Sequence, residues 1–87
     1  MALFGSLDSM PLEELLLVLK SKEGALEIWN VKGLPATTLY LKPGRIRSID
    51  QRGKPLPPEA ATPVLLTLPK AREGSFAFLL NLRPRPR

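Results

Sequence analysis

The chain of 87 residues contains neither cysteine nor histidine. The absence of cysteine excludes disulfide bonds and thiolate metal sites, and it is compatible with the cytosol. Without these two residue types the chain also lacks the usual general base near neutral pH, the usual nucleophile–base pairs and the commonest transition-metal ligands. The sequence therefore argues against an enzyme, and we expect no catalytic residue, no metal and no cofactor.

Long hydrophobic runs are absent as well. No purely apolar stretch is longer than five residues, as in Leu15–Leu19, whereas a helix needs roughly 20 to cross a bilayer. The N-terminal MALFGSLDSM has no Lys or Arg, so it lacks the positive region of a secretory signal. We expect a soluble, cytoplasmic protein without membrane contact.

The composition is that of one folded domain. Hydrophobic residues make up 44% and charged residues 24% of the chain, and 87 residues are too few for two separate cores. We predict a single domain over residues 1–82, followed by a flexible Arg-Pro tail over residues 83–87, whose alternating RPRPR favours extended backbone. Ten prolines and a scarcity of Asn, Gln and Met suggest a thermophilic source.

The net charge of +5 is distributed unevenly. Residues 1–30 carry two basic and five acidic side chains, whereas residues 31–87 carry eleven and three. Three of the basic residues are the arginines of the terminal RPRPR, and without them the net charge is +2. Much of the positive charge therefore belongs to the tail.

One helix is predicted over the segment SMPLEELLLVLKSKEG. Ser9 is a candidate cap, Pro11 suits the first turn, and Gly24 would supply a left-handed exit. Four leucines at i, i+3, i+4 and i+7 form a stripe that faces the core: Leu12, Leu15, Leu16 and Leu19. Leu17 projects about 150° away from the centre of that stripe. It is either a solitary exposed apolar side chain or part of a second packing surface, in a dimer or against a partner.

The rest of the chain reads mainly as strands. Strands are predicted over residues 2–7, 25–31 and 37–42, on the arm that returns from Pro43-Gly44, and after Gly74, where Phe76, Phe78, Leu80 and Leu82 alternate. Residues 51–58 read as a loop, and Thr62-Pro63 opens a short helix that Pro69 ends. The predicted fold is α+β, with a small antiparallel sheet of about five strands packed on one main helix and a second short helix.

The hairpin LYLKPGRIRSID carries the clearest functional question. Pro43-Gly44 fits a type II turn, which suits a two-residue hairpin poorly, so we expect a bulge or wider loop at residues 42–45. Alternation places Arg45, Arg47 and Ile49 on one face of the returning arm, and Ile46 and Ser48 on the other.

These arginines and two aromatic residues allow two interpretations. Nucleic acid could be bound by the basic residues around the hairpin and by the arginine tail, with Trp29 and Tyr40 as stacking platforms. The basic residues around the hairpin are Arg45, Arg47, Arg52 and Lys54. Alternatively, the charges form a solvated face and the aromatic rings cover the core. A third possibility is a contact with another protein.

Three segments together resemble a known family. The run GSLDSMPLEELLLVLKSKEGALEI, then LYLKPGRIRSI, then REGSFAF, is similar to the PATAN-type domain family, a bacterial domain of unknown function found in response-regulator and other signalling proteins. The likeness covers nearly the whole chain except RPRPR. The family's second helix is usually longer and rich in leucine, whereas here Pro63 and Pro69 bracket a stub.

The resemblance implies a regulatory or adaptor role through protein contacts. It implies a partner from a response-regulator system or from systems with small Ras-like GTPases and Roadblock-type regulators, and it supplies no catalytic residues. We therefore predict a non-enzymatic protein–protein interaction module in a bacterial signalling system, with Leu17, Trp29, Tyr40, Arg45, Arg47 and Arg52 as interaction candidates. A homodimer is one form of this hypothesis, and a basic nucleic-acid-binding module that uses the hairpin and the tail is the alternative.

Overall fold

The computed structural model describes residues 2–80. Six strands form one antiparallel sheet in the order β1-β6-β2-β3-β4-β5. The strands are β1 (Ala2–Ser6), β2 (Gly24–Trp29), β3 (Thr37–Lys42), β4 (Arg45–Gln51), β5 (Lys54–Pro55) and β6 (Ser75–Leu80). The helices are α1 (Leu12–Leu19) and α2 (Pro58–Thr67), and a 3-10 turn, Leu68–Lys70, continues α2. The α+β class and the antiparallel sheet are thus confirmed, with six strands in place of about five.

The core lies between one face of the sheet and the two helices. Leu26 of β2 pairs with Leu39 on one side and with Phe78 on the other, and Leu39 pairs with Ile49. All four side chains are buried, together with leucines of α1 and with Val64 and Leu68 from the α2 region. Strand alternation therefore places every second residue against the helices, as the sequence pattern predicted.

The helix α1 is shorter than predicted. It begins at Leu12 after Pro11, without a side-chain cap, and Ser9 donates its backbone N–H to Ser6 O in the preceding turn, so the predicted Ser9 cap is wrong. Leu12, Leu15 and Leu19 are buried as expected, and Leu16 is partly buried. The helix ends at Leu19, and the chain enters the interior strand β2 at Gly24.

Gly24 has a role other than the predicted helix exit. It is the first residue of β2, and it is not among the glycines with positive φ. A Cβ at this position would lie 2.8 Å from Cζ of Phe78 and closer still to the carbonyl oxygen of Leu79. Gly24 is therefore required by the close approach of β6 rather than by backbone conformation.

The hairpin of β3 and β4 contains the expected irregularity, displaced from the turn. Gly44 has a φ of 80°, as a type II turn requires at that position. The register shifts between Tyr40, which pairs with Ser48, and Leu41, which pairs with Ile46, so Arg47 is an additional, unpaired residue. This bulge places Ile46 and Ile49 on the same core face, and the predicted alternation of β4 is wrong there.

A second hairpin occupies the segment predicted as a loop. Arg52 and Gly53 both have positive φ, 54° and 78°, as the two central residues of a type I′ turn do. Strand β4 thereby continues to Gln51 and pairs with the two-residue strand β5. The neighbouring buried Thr37 is satisfied, since its hydroxyl donates to Pro35 O and accepts from Nε2 of Gln51.

The helix α2 is longer than the predicted stub. It starts at Pro58, follows Pro57 at the cap position, and includes Pro63 in its interior. Thr62 is inside the helix, where its hydroxyl donates to Pro58 O, so its predicted capping role is wrong. Pro63 is exposed, and it has no N–H to donate within the helix. The predicted tail over residues 83–87 and the predicted strand position Leu82 lie outside the described residues.

Candidate functional site

The structure places the three predicted arginines at the two ends of β4. Arg45 and Arg47 lie beside the Pro43-Gly44 turn, at what we call the hairpin end of the sheet. Arg52 lies in the turn at the opposite end. A strand of seven residues places these ends about 20 Å apart. The three arginines therefore do not form one compact basic patch.

Trp29 and Tyr40 share the helix-free face of the sheet. Tyr40 pairs with Ala25 and Ser48, whereas Trp29 pairs with Ser75 at the other end of β2. Ala25, the β2 residue that pairs with Tyr40, and Trp29 are four positions apart along β2, which corresponds to about 13 Å. Both side chains are half-buried, so each covers part of the sheet. The two residues are too far apart for both rings to stack on one base.

Leu17 is exposed, as its position on the helical wheel predicted. Its side chain is 68% exposed and that of its neighbour Val18 is 56% exposed. Three further large apolar side chains are exposed on other elements: Leu3 and Phe4 on β1 and Leu66 on α2. The C-terminal end of α1 lies at the hairpin end of the sheet, since Gly44 donates its backbone N–H to Lys20 O at 2.7 Å. Leu17 is therefore one turn away from the arginine-bearing hairpin.

An open concavity lies where α1 and the hairpin meet, and we call it the hairpin groove. Its volume is about 760 Å³. Leu16 and Leu19 of α1 and Leu41 and Ile46 of the hairpin supply apolar walls, with Pro43 at the turn. Leu16 and Ile46 are only partly buried, so apolar surface remains accessible to a ligand.

Three cationic residues are among those that line the groove. Lys20 comes from the end of α1, and Lys42 and Arg45 flank the turn. Among the described residues that line the groove none is Asp or Glu. Strand alternation places Lys42 and its pair Arg45 on the helix-free face that Tyr40 shares, opposite Leu41 and Ile46, so the apolar floor of the groove and these two charges face different sides of the sheet. Of the predicted site residues, the groove includes Arg45.

A second, smaller concavity lies at the opposite end of the sheet. Its volume is about 610 Å³, and Arg52, Lys54, Gln51 and Leu56 are among the residues that line it. It thus places Arg52 in a separate environment from Arg45. Two of its side chains are cationic, and it lacks the leucine-rich wall of the hairpin groove.

Two members of the hairpin groove, Lys20 and Lys42, were not predicted as site residues. Lys42 flanks the turn, so its position next to Arg45 could have been read from the hairpin pattern. The position of Lys20 depends on the contact between the end of α1 and Gly44, which are 24 residues apart in the chain. No local signal predicts that contact.

Two other features would bear on function, a metal centre and a membrane-spanning helix. Within residues 2–80 no group of three or more His, Cys, Asp or Glu side chains is arranged to hold a metal ion. No helix in that range is both long enough and apolar enough to cross a membrane.

No family model matches the chain, and no curated protein or solved structure matches it either. The similarity to PATAN-type domains therefore stays a prediction from the residues.

Proposed function

We propose that this chain is a non-enzymatic protein-interaction module that binds its partner through the exposed surface of α1. The observation that carries the proposal is the pair of exposed apolar side chains, Leu17 and Val18, on a helix whose other face already supplies the core. Exposing two adjacent large apolar side chains leaves apolar area in water that a partner would remove. The lack of His and Cys further supports a binding role over a catalytic one.

The class of partner is proposed from the likeness to PATAN-type domains. That likeness suggests a bacterial signalling system, with a response regulator or a small GTPase and its Roadblock-type regulator as partner. A second copy of the chain is the remaining form of the same proposal. All three share one requirement, an apolar surface on the partner that covers α1.

The test compares two leucines of similar exposure on different helices. Leu17 is 68% exposed and Leu66 is 65% exposed, so Leu17→Glu and Leu66→Glu introduce the same charge with the same loss of apolar surface. Tagged wild type and both variants are used to capture partners from the lysate of the source organism, with and without nuclease, and their self-association is measured by sedimentation.

We expect a stoichiometric partner, or a dimer, that persists through nuclease, is lost in Leu17→Glu and is retained in Leu66→Glu. Because Leu17 is outside the core, the melting temperature of Leu17→Glu should stay within about 4 °C of the wild-type value. Retention of the same complex by Leu17→Glu contradicts the proposal. Equal loss in both variants also contradicts α1 as the contact surface.

Nucleic-acid binding is the second candidate, and one observation favours it. Arg45, Arg47, Arg52 and Lys54 are all exposed and could neutralise phosphates. The separation of Arg45 and Arg52 along β4 weighs against a single compact site. A nucleic-acid module predicts affinity for a single-stranded oligonucleotide that falls steeply with salt. Binding that does not respond to salt and that survives deletion of residues 83–87 contradicts this alternative.

A further inference from the structure

We infer that the edge strand β1 pairs with β1 of a second copy of the chain, so that two sheets join into one continuous sheet across a two-fold axis. This interface is separate from the exposed surface of α1 and goes beyond the proposed function. Its basis is a contrast between the two edges of the sheet, together with the direction in which the backbone groups of β1 point.

The two edges of the sheet differ in how they are protected. Strands β1 and β5 are the outermost strands of the described chain. Strand β5 has only two residues, Lys54 and Pro55, and both are exposed. Shortness, lysine and proline each discourage a further strand from pairing. Strand β1 has five residues, ALFGS, without a charge or a proline. The β5 edge is therefore protected, and the β1 edge is open to another strand.

The free backbone groups of β1 follow from its register with β6. Ser6 pairs with Ser75, and the same register continues one step to Leu7, whose N–H donates to Gly74 O at 2.9 Å. In an antiparallel ladder, hydrogen-bonded and non-hydrogen-bonded pairs alternate. The odd-numbered residues of β1 therefore bond to β6, and the even-numbered residues point their N–H and C=O groups away from the sheet.

Three residues thus direct backbone groups toward the open edge: Ala2, Phe4 and Ser6. The carbonyl oxygen of Ser6 is engaged in the turn that follows, where it accepts the N–H groups of Ser9 and Met10. The other outward groups are spaced as in any strand, with two residues between equivalent positions. A second extended segment is the ligand that satisfies them together.

A two-fold axis at Phe4 aligns all five residues of β1 with those of a second copy. In this antiparallel register Phe4 lies beside Phe4 of the second copy, and each donates its N–H to the other's carbonyl oxygen. Ser6 lies beside Ala2 of the second copy and donates its N–H to Ala2 O, once in each direction. Any register shifted along the strand aligns fewer residues.

The side chains fit the same register. On the core face, Leu3 lies opposite Gly5 of the second copy, in a non-hydrogen-bonded pair whose side chains are close. The ring of Phe76 occupies the space above Gly5, since a Cβ there would be 2.7 Å from Cζ of that ring. Leu3, which is 41% exposed, therefore packs beside an aromatic ring of the second copy. Phe4, which is 69% exposed, packs against its own equivalent on the other face, and both contacts remove apolar area from water.

The sequence of β1 meets conditions that only self-pairing imposes. Because position 4 faces itself, a charge there would lie against the same charge, and the residue present is Phe4. A large side chain at position 3 requires a small residue at position 5, and these are Leu3 and Gly5. The edge is also accessible. Leu3 pairs with Phe78 of the core and so faces the helices, yet its exposure shows that α1 does not cover it.

The size of the contact sets the expected affinity. A pairing of two five-residue strands buries less than the roughly 1,600 Å² of a standard protein–protein interface. We therefore expect a weak dimer with a Kd of roughly 10–100 μM. The untagged full chain is studied by sedimentation between about 5 and 500 μM, which spans both sides of this value.

The test places charges on the two-fold axis. Phe4→Lys and Phe4→Glu are measured separately and as an equimolar mixture. We expect each variant alone to weaken the dimer about tenfold or more, because like charges oppose one another at the axis. The mixture should recover association, because position 4 then opposes opposite charges. The matched control Leu66→Lys alters a side chain of similar exposure, 65%, on α2, and it should leave the Kd within about twofold of the wild-type value.

Hydrogen exchange of the wild-type chain tests the pairing without a substitution. The N–H groups of Phe4 and Ser6 should exchange at least about threefold more slowly at 500 μM than at 5 μM, because most chains are then dimeric and these groups become hydrogen-bonded. The amides of β5, at the opposite edge, should keep their rates. This measurement decides the question if a variant at position 4 does not fold, which unfolding curves followed through the single tryptophan reveal.

Several results would overturn the inference. These are a monomer at 500 μM, a dimer that Phe4→Lys retains, a mixture of the two charged variants that does not recover association, and unchanged exchange of the Phe4 amide. A monomeric wild type that captures another protein through β1, with capture lost in Phe4→Lys, would assign the edge to a strand of a different partner and would likewise overturn self-pairing.

The outcome is separable from that of the proposed function. A dimer that is lost in Phe4→Lys and retained in Leu17→Glu supports pairing through β1, whereas the reverse places the second copy on α1 and contradicts this inference. A lysate partner that is lost in Leu17→Glu and retained in Phe4→Lys supports the proposed function, whether or not β1 forms a dimer.

Discussion

Substitution of Gly24 by alanine tests the closest contact in the sheet. Gly24 begins β2 and pairs with Leu41 on one side and with Leu80 on the other. A Cβ there would meet the ring of Phe78 at 2.8 and 3.0 Å, and its nearest neighbour would be the carbonyl oxygen of Leu79. The ring can rotate, but the carbonyl belongs to β6 and can move only if the strand moves.

The expected cost follows from that obstacle. Overpacking in a well-packed interior costs about 1–3 kcal/mol, and a backbone obstacle places Gly24→Ala in the upper part of this interval. Alanine recovers about 0.5–1 kcal/mol because glycine loses more backbone entropy on folding. The net loss in the free energy of unfolding should therefore be about 2 kcal/mol, which corresponds to a fall of roughly 8–16 °C in melting temperature for a domain of this size.

Gly5→Ala is the matched control. Gly5 also lies in a strand, β1, and its added Cβ would meet only the ring of Phe76, at 2.7 Å from Cζ. Because β1 is at the edge of the sheet and can adjust, we expect a loss of about 1 kcal/mol or less. Urea unfolding followed by the fluorescence of Trp29 measures both values. Equal costs for the two variants, or no measurable cost for Gly24→Ala, would refute the reasoning.

A double-mutant cycle separates the ring from the carbonyl. Phe78→Leu removes the ring atoms near the added Cβ but leaves the carbonyl of Leu79 in place. We therefore expect Phe78→Leu to recover only a minor part of the cost of Gly24→Ala, with a coupling energy below about 1 kcal/mol. Full recovery would show that the side chain, rather than the approach of β6, requires glycine.

Two further predictions concern the helices. Leu15→Ala should lower the free energy of unfolding by about 2–5 kcal/mol, because Leu15 is fully buried, whereas Leu17→Ala should change it by less than about 0.5 kcal/mol; urea unfolding of both variants checks this contrast. Pro63→Ala should stabilise the protein by about 1–2 kcal/mol, because it restores an N–H donor to the middle of α2 while the loss of proline's restriction on the unfolded chain offsets part of the gain. An unchanged or lower melting temperature in Pro63→Ala would contradict that expectation.

Much of the fold could be predicted from local patterns. The i, i+3, i+4, i+7 leucines placed α1 against the core, and the alternation of Phe76 and Phe78 identified a buried face of β6. These predictions succeeded because the spacing of apolar residues along a helix or strand indicates which of its faces is buried. The number of strands was underestimated because β5 has only two residues, one of them proline, and carries no pattern of its own.

The candidate site was predictable only in part. Leu17 and Arg45 were identified as interaction candidates from the sequence, and the structure places one on the exposed surface of α1 and the other in the adjoining hairpin groove. Arg45 and Arg47 do not form one group with Arg52. The sequence pattern did not show that β4 continues to Gln51 and that a second turn places Arg52 at its far end. Lys20 was missed because its role depends on a contact across the fold.

The sequence by itself determined the class of this protein: an α+β fold with an antiparallel sheet and a leucine-striped helix, built without histidine or cysteine. Those properties depend on the composition and on the spacing of residues that are near one another in the chain. The tertiary structure alone decided that Gly24 serves a close approach between strands, that the bulge at Arg47 turns Ile46 toward the core, and that Lys20 at the end of α1 meets the turn at Gly44. Each depends on which segments meet in space, and residues distant in the chain meet only when the core assembles.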